Sequence, residues 1–245
     1  MSTVIATTVK TDDTTDTLTL GGTSDSVVIA GNDLQTNVLQ DAGGNNIFVS
    51  DGAGTITSQS AGFAGVTKKI LEQTASSSAN IAFTSDIDST YDVYFFRFIN
   101  IRPATDDVKF EVNMSIDGGA NYNVTKTTTF FHVYNNQANN DDALSYHTAS
   151  DLAQGTGYQR ITSYSIGNDA NHGGSGRMYL YGPSSTVATK HFISDFQYKD
   201  EGDYTFRGFM AGYCNTTSAV NAVNFKMSSG NITSGKIALY GISKS

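Results

Sequence analysis

The sequence predicts an all-β protein in which a small repetitive β segment precedes an antiparallel, jelly-roll-like β-sandwich. Apolar residues make up 38% of the chain and charged residues only 16%, and much of the remainder is Thr, Ser, Asn and Gly. This composition suits strands and turns. Short β-prone runs recur along the chain between clusters of Gly, Asn and Asp, which is the pattern of strands joined by turns. Ala, Leu, Glu and Lys, which favour helices, do not dominate any long window.

The N-terminal part contains two zones. Residues 1–16 are polar and rich in Thr, and we expect them to form an attachment arm that becomes ordered on a partner. Residues 17–58 contain short β-prone runs that recur about every nine or ten residues, as in a repeat architecture. The runs are TLTL at 17–20, SVVIA at 26–30, NVLQ at 37–40, NIFVS at 46–50 and TITS at 55–58.

Each of these runs is too short to bury an apolar face by itself. Units of this kind become stable when they stack on neighbours or wind together with other chains. We therefore expect residues 17–58 to form an oligomeric stem, with a homotrimer as the simplest assembly. The alternative is a small meander that packs on the main domain.

Residues 59–80 interrupt the β pattern and are predicted to be a linker. Within them, GVTKKILEQTA at 65–75 places Val66, Ile70 and Leu71 near one helical face, which predicts a helical turn or two. The domain boundary is expected in this stretch.

Residues 81–245 are predicted to form one β-sandwich, the knob of the protein. The run at 91–101 is apolar on both faces, as in a central strand. The run at 108–117 alternates strictly, which predicts that every second residue from Val108 to Ile116 is buried and that the residues between them, with Asp117, face solvent. The turn DGGAN then predicts a hairpin with the strand at 122–134. The remaining predicted strands are 158–166, 177–182, 190–199, 204–214, 219–229 and 235–243.

Charge and cysteine content exclude several functional classes. The formal net charge of -8 repels phosphate backbones, so we expect no nucleic-acid partner. No apolar run approaches the roughly 18 residues of a spanning helix, so membrane insertion is not expected. The single cysteine, Cys214, allows no intrachain disulfide and is expected to be buried and inert. The four histidines lie on separate predicted elements without metal-ligand spacing. We expect no metal, cofactor or catalytic residue, although acidic pairs in predicted turns leave a calcium ion in a loop open.

Residues 115–122, SIDGGANY, resemble the Asp-box turn motif. In that motif an Asp side chain binds turn amides and an aromatic ring packs beneath them. The resemblance implies a structural role for Asp117 and Tyr122, and not a catalytic one.

The polar insertion at 134–151 is longer than a hairpin requires, and long loops often carry function. Its rings and polar groups are those used to hold sugars, so it is the predicted site for a glycan or a partner. The alternatives are a contact between copies of the chain and simple disorder. The candidate contact residues are Tyr134, Asn136, Asp141, Asp142, Tyr146 and His147.

Two segments resemble structural proteins of tailed bacteriophages, particularly marine ones. Residues 34–59 contain a strand, a D-x-GGN turn, a second strand and a DG-x-G-T turn, and residues 218–245 contain SSGNI-x-SG-x-I-x-LYGI. The resemblance implies a virion protein made in the host cytoplasm, of the tail-fibre, head-fibre or capsid-decoration type. It also implies that the N-terminal segment contacts other virion proteins of the capsid or tail.

Three functions follow from these observations. The first is a non-enzymatic virion structural protein, a trimeric short fibre or decoration knob. The second is a fibre tip that recognises a host-surface glycan through residues 134–151. The third is a polysaccharide depolymerase, whose usual long β-helix is not supported by a weak repeat this short.

Overall fold

A computed structural model of the chain describes residues 38–41, 44–53, 55–59 and 67–242. The chain divides into two compact units, Met1–Phe63 and Ala64–Ser245. This division lies within the predicted linker. The expected attachment arm and the first two runs of the expected stem lie outside the described residues.

The described part of the first unit is a three-stranded antiparallel sheet. Its strands are β1 (Val38–Gln40), β2 (Asn46–Ser50) and β3 (Ile56–Gln59), in the order β1-β2-β3. The sequence predicted these three strands to within one residue at either end.

Aspartate side chains hold both turns of this sheet. Asp41 Oδ1 accepts a hydrogen bond from the backbone N–H of Asn45 at 2.9 Å. Asp51 Oδ1 accepts from the N–H groups of Ala53 at 2.7 Å and Thr55 at 3.1 Å. These backbone bonds lower the pKa of Asp51 because they stabilise its ionised form. The D-x-GGN and DG-x-G-T motifs of residues 34–59 therefore form turns that an Asp side chain stabilises.

The second unit is an antiparallel β-sandwich, which confirms the predicted fold class. An eight-stranded sheet has the order β4-β15-β6-β11-β12-β13-β8-β9, and a four-stranded sheet has the order β10-β7-β14-β5. The strands are β4 (Thr67–Thr74), β5 (Ile81–Phe83), β6 (Val93–Pro103), β7 (Phe110–Ser115), β8 (Lys126–Asn136), β9 (Asp142–Tyr146), β10 (Gln159–Arg160), β11 (Gly173–Tyr181), β12 (Lys190–Lys199), β13 (Tyr204–Cys214), β14 (Ala222–Met227) and β15 (Ile232–Ile242).

The core lies between the two sheets and is built from aromatic rings. Phe98 of the central strand β6 is buried, and its ring centroid lies 5.4 Å from that of Phe110 and 5.2 Å from that of Phe225. Phe98 also meets Phe196 of its own sheet at 5.8 Å. All three contacts are edge-to-face, a geometry that adds roughly 0.5–1.5 kcal/mol per pair to the burial of apolar area.

The predicted helical turn at 65–75 is wrong. Residues Thr67–Thr74 form β4, which pairs along its length with β15, and Leu71 lies opposite Leu239. The predicted linker therefore ends before Thr67. Ile70 and Leu71 pack against the core, and the ladder with β15 overrides the local helical preference of this stretch.

The predicted hairpin between residues 108–117 and 122–134 is also wrong. Strand β7 pairs with β10 and β14, whereas β8 pairs with β13 and β9 in the other sheet. The DGGAN segment therefore connects the two sheets. Its turn still has the Asp-box arrangement, since Asp117 Oδ1 accepts from Ser115 Oγ at 2.6 Å and from the N–H of Asn121 at 2.9 Å. These bonds lower the pKa of Asp117 to about 2.

The second face of β7 is not solvated as its alternation predicted. Asn113 and Ser115 are fully buried. Asn113 Nδ2 donates to the carbonyl oxygens of Tyr122 at 2.6 Å and Thr156 at 3.0 Å, so two connections cover this face. Ile116, predicted to be buried, is 43% exposed because the strand ends at Ser115.

Cys214 is buried, as predicted, and two buried lysines lie opposite it. Lys190 of β12 and Lys126 of β8 are its cross-strand partners. Burial raises the pKa of the Cys214 thiol to about 11 and lowers the pKa of Lys126 to about 8. Lys126 Nζ donates to Asn113 Oδ1 at 2.6 Å and to the carbonyl oxygen of Val124 at 2.7 Å.

Replacing Phe98 by Ala should destabilise the sandwich strongly, because the cavity would lie where both sheets meet. We expect a loss of about 3–5 kcal/mol in the free energy of unfolding, measured by urea denaturation of the whole chain. The control is Val187→Ala, at a side chain that is 87% exposed, which should change stability by no more than about 0.5 kcal/mol. Equal effects of the two substitutions would show that Phe98 is not the centre of the core.

Candidate functional site

The insertion predicted as a loop at 134–151 is mostly regular structure. Strand β8 continues to Asn136, turns, and returns as β9, the edge strand of the large sheet. A single 3-10 turn, Thr148–Ser150, follows. The six predicted contact residues are therefore distributed over a β-hairpin, and the structure places them in three locations.

Four of the six residues lie at the tip of this hairpin. Asp141 Oδ2 accepts a hydrogen bond from Tyr204 Oη at 2.9 Å, and its Oδ1 lies 3.5 Å from Tyr134 Oη. Asn136 Nδ2 donates to Asn140 Oδ1 at 2.7 Å. Asp142 begins β9 and is exposed. The polar groups at the tip thus largely satisfy one another, which is what a self-closing turn requires.

The other two residues point to opposite sides of the sheet. Tyr146 lies opposite Phe131 on the solvent side, and its Oη donates to Asp151 Oδ2 at 2.5 Å. His147 turns the other way, where its Nδ1 lies 2.9 Å from Ser150 Oγ. The structure therefore does not assemble the six predicted residues into one site.

A histidine pair lies on the inner side of this edge. The rings of His132 and His147 are 5.1 Å apart, and Tyr164 lies 5.5 Å and 5.3 Å from them. These histidines lie on separate elements, so the sequence alone does not predict that they meet. His132 is buried, its Nε2 lies 2.8 Å from Ser145 Oγ, and its Nδ1 has no partner. Burial and the neighbouring His147 both lower the pKa of His132.

The solvent-facing side of the eight-stranded sheet, called the outer face below, carries a second group of side chains. The ladder aligns one residue from each of six neighbouring strands directly opposite the next. We call this set the cross-strand row. In strand order from β6 to β9, it consists of Arg97, Arg177, Asp195, Phe209, Phe131 and Tyr146.

One half of the cross-strand row is charged. Arg207, a neighbour of the row on β13, binds Asp195 through two parallel hydrogen bonds, Nε to Oδ1 and Nη2 to Oδ2, both 2.8 Å. Arg177 Nη2 lies 3.8 Å from Asp195 Oδ2. These guanidinium groups lower the pKa of Asp195. One carboxylate is thus shared by two guanidinium groups, and its pair with Arg207 has the bidentate geometry that strengthens such contacts.

The other half of the row is aromatic. The rings of Phe131 and Phe209 stack with their centroids 4.8 Å apart, and the guanidinium of Arg207 lies 4.8 Å above the Phe209 ring. Phe131 is 43% exposed, and Tyr146 is 58% exposed. Exposed rings concentrated on one face are characteristic of a contact surface.

Two adjoining grooves indent the outer face. One, of about 390 Å³, runs beside Phe131, Ile193 and Phe209. The other, of about 560 Å³, runs beside Phe95 and Arg97. Both volumes fall in the range of small-ligand sites. The residues that line both grooves are Arg177, Tyr179, Asp195 and Arg207.

The sequence contained part of the signal for this surface. In β13, every second residue from Phe206 to Met210 points inward. Because side chains alternate along a strand, Arg207 and Phe209 must face outward. What the sequence did not give is the strand order, which alone brings Arg97 beside Arg177 across 80 positions of chain.

The described residues contain neither a metal-binding cluster nor a membrane-spanning helix. Within the described ranges, no three His, Cys, Asp or Glu side chains are arranged to hold a metal ion. No helix in that part of the chain is long and apolar enough to cross a membrane. Comparisons of the chain with protein-family models, curated proteins and solved structures gave no match.

The two histidines on the inner side should make the sandwich less stable in mild acid. The pKa values of His132 and His147 are lowered, chiefly by burial, so below about pH 6.5, the ordinary histidine pKa, the unfolded chain takes up more protons than the folded one. This part of the stability is present above that pH and is lost as the pH falls through the lowered values. His132→Gln should therefore reduce the fall in the urea midpoint between neutral and mildly acidic pH.

The control for this experiment is His191→Gln. His191 is exposed on the outer face of β12, so its replacement tests whether the loss of any one histidine has the same effect. If His132→Gln leaves the slope unchanged, the acid sensitivity comes from the carboxylates and not from the two imidazoles on the inner side.

Proposed function

We propose that this chain is a non-enzymatic virion structural protein of the tailed-bacteriophage type. It assembles as a homotrimer through its N-terminal β segment, which also docks on capsid or tail proteins, and it projects the β-sandwich as a knob. The resemblance of residues 34–59 and 218–245 to such proteins supports the virion assignment. The all-β architecture is compatible with that role, and the first unit supplies the main physical argument.

The observation that carries the proposal is that the described part of the three-stranded sheet shows no buried residue. None of the residues with assigned exposure in β1, β2 and β3 is buried. The apolar side chains of Leu39 and Ile56 are 38% and 54% exposed. Three strands of three, five and four residues need an apolar face packed against another surface to be stable. Other copies of the same segment supply that surface in the proposed stem.

A second candidate function is recognition of a host-surface glycan by the knob. The predicted contact residues at 134–151 do not support it as a group, because they are divided among the hairpin tip, the outer face and the inner side. The specific observation in its favour is the outer face itself, where exposed rings adjoin hydrogen-bonding guanidinium groups.

The stem proposal predicts the assembly state of the purified whole chain. Sedimentation equilibrium and native mass spectrometry should give the mass of three chains. The double substitution Leu39→Ser and Ile56→Ser should weaken the assembly, because each apolar side chain buried between copies contributes roughly 1.5–3 kcal/mol, or about tenfold or more in affinity. Val187→Ser, at an exposed position of the second unit, should leave the mass unchanged.

A chain that stays monomeric across the whole concentration range, with β1–β3 folded, would overturn the stem proposal. The virion assignment has its own test. A label fused to the C-terminus should be found on intact particles by electron microscopy, at sites that project from the capsid or tail. A label confined to unassembled protein would contradict that assignment.

A further inference from the structure

The cationic half of the cross-strand row contains an unbalanced pair of guanidinium groups. Arg97 and Arg177 lie directly opposite each other on β6 and β11, and like charges in that position destabilise a sheet. Arg97 is exposed and forms no salt bridge with any residue in the described part of the chain. An anion placed between the two groups would remove this repulsion.

The same row shows how such an anion would be held. One step along the sheet, the carboxylate of Asp195 lies between Arg177 and Arg207, with bidentate bonds of 2.8 Å to one and a 3.8 Å contact to the other. The chain thus supplies a carboxylate between one pair of neighbouring guanidinium groups. Arg177 also contacts Asp195, but no described carboxylate forms a salt bridge with Arg97, its other neighbour in the row. A carboxylate from a ligand would repeat the arrangement.

Aromatic rings lie beside the unbalanced pair. Phe95 stacks on Tyr240 with centroids 4.7 Å apart and lies 5.4 Å from Tyr179. Tyr179 also lies 5.8 Å from the guanidinium carbon of Arg177. Phe95 and Tyr179 line the groove of about 560 Å³ together with Arg97. Flat apolar rings beside charged donors suit a ligand with both an apolar face and acidic groups, as a sugar acid has.

Charge complementarity favours a polyanion over a second copy of the chain. The two grooves are lined by Arg97, Arg177 and Arg207 but by only one carboxylate, that of Asp195, although the chain as a whole has a net charge of -8. A local positive potential on an acidic protein attracts anions selectively. Two copies that met through the charged halves of their rows would bring their guanidinium groups together.

We propose that the outer face binds a polysaccharide that carries carboxylate groups, with one carboxylate between Arg97 and Arg177 and sugar rings on Phe95 and Tyr179. The inference rests on the attachment role proposed above and gives it a ligand class. The two proposals can fail independently, because the stem is tested by the mass of the assembly and this site is tested by the binding of polysaccharides.

Isothermal titration of the whole chain at low ionic strength tests the site with three probes. These are polygalacturonate as the carboxylated probe, dextran sulfate as the sulfated probe and dextran as the neutral one. We expect binding to polygalacturonate that weakens as salt is added, no binding to dextran, and weaker binding to dextran sulfate.

Arg97→Gln should weaken the binding of polygalacturonate by about twofold to fivefold, the range expected for loss of a solvent-exposed ion pair. The matched control is Lys68→Gln, which removes one positive charge from the exposed edge strand β4 and should leave binding unchanged. Thermal unfolding of both variants checks that the fold is intact, which the exposure of Arg97 predicts.

Several results would overturn this inference. They are an absence of polygalacturonate binding, equal losses in Arg97→Gln and Lys68→Gln, equal binding of dextran, and preferential binding of dextran sulfate. A change of assembly mass in Arg97→Gln would identify the outer face as a contact between copies and would likewise overturn it. None of these results would decide whether the original chain is a trimer, which its assembly mass tests separately.

Discussion

The contact of Phe98 with Phe110 and Phe225 ties the two sheets together, and it also fixes what the molecule shows to solvent. Successive residues of a strand point to opposite faces, so burying Phe96 and Phe98 places Arg97 outside. A slip of one residue would exchange these faces, and the aromatic core makes that slip very unfavourable. The core therefore holds the backbone of the outer face in one register. A surface held in this way loses little conformational freedom when it binds a ligand.

The interior also contains polar groups whose burial has to be offset. Lys126 and Lys190 are buried on either side of Cys214, and neither has a carboxylate partner among the described residues. Both pKa values are lowered, chiefly by burial, because removal from water destabilises the charged form of a lysine. Carbonyl and amide oxygens accept hydrogen bonds from the two ammonium groups instead, as Val124 does for Lys126 and Ala188 for Lys190. These bonds fix the start of β8 and β12 in one arrangement.

Local pattern predicted the elements whose environment is local. Strands β12 and β13 have the bounds that their alternation predicted, residues 190–199 and 204–214, because one face of each is buried and the other is solvated. The pattern failed where distant segments decide the environment. Strand β4 exists because β15 lies beside it, and Asn113 is buried because two connections fold over it. The cross-strand row required the order of six strands, which no single segment encodes.

The proposed function divides two physical tasks between the two units. A sheet without buried residues is unstable alone but gains stability from every copy that joins it, so it suits assembly. A sandwich with its own core does not depend on another copy for burial of its apolar residues. The outer face of its large sheet is not part of that core, so this face suits recognition. A carboxylate held between two exposed guanidinium groups binds weakly in water, because solvent screens it. Joining several such knobs on one stem raises the effective concentration of each site for a repetitive polymer. Several weak binding sites then hold the polymer firmly, although no single site binds it more tightly.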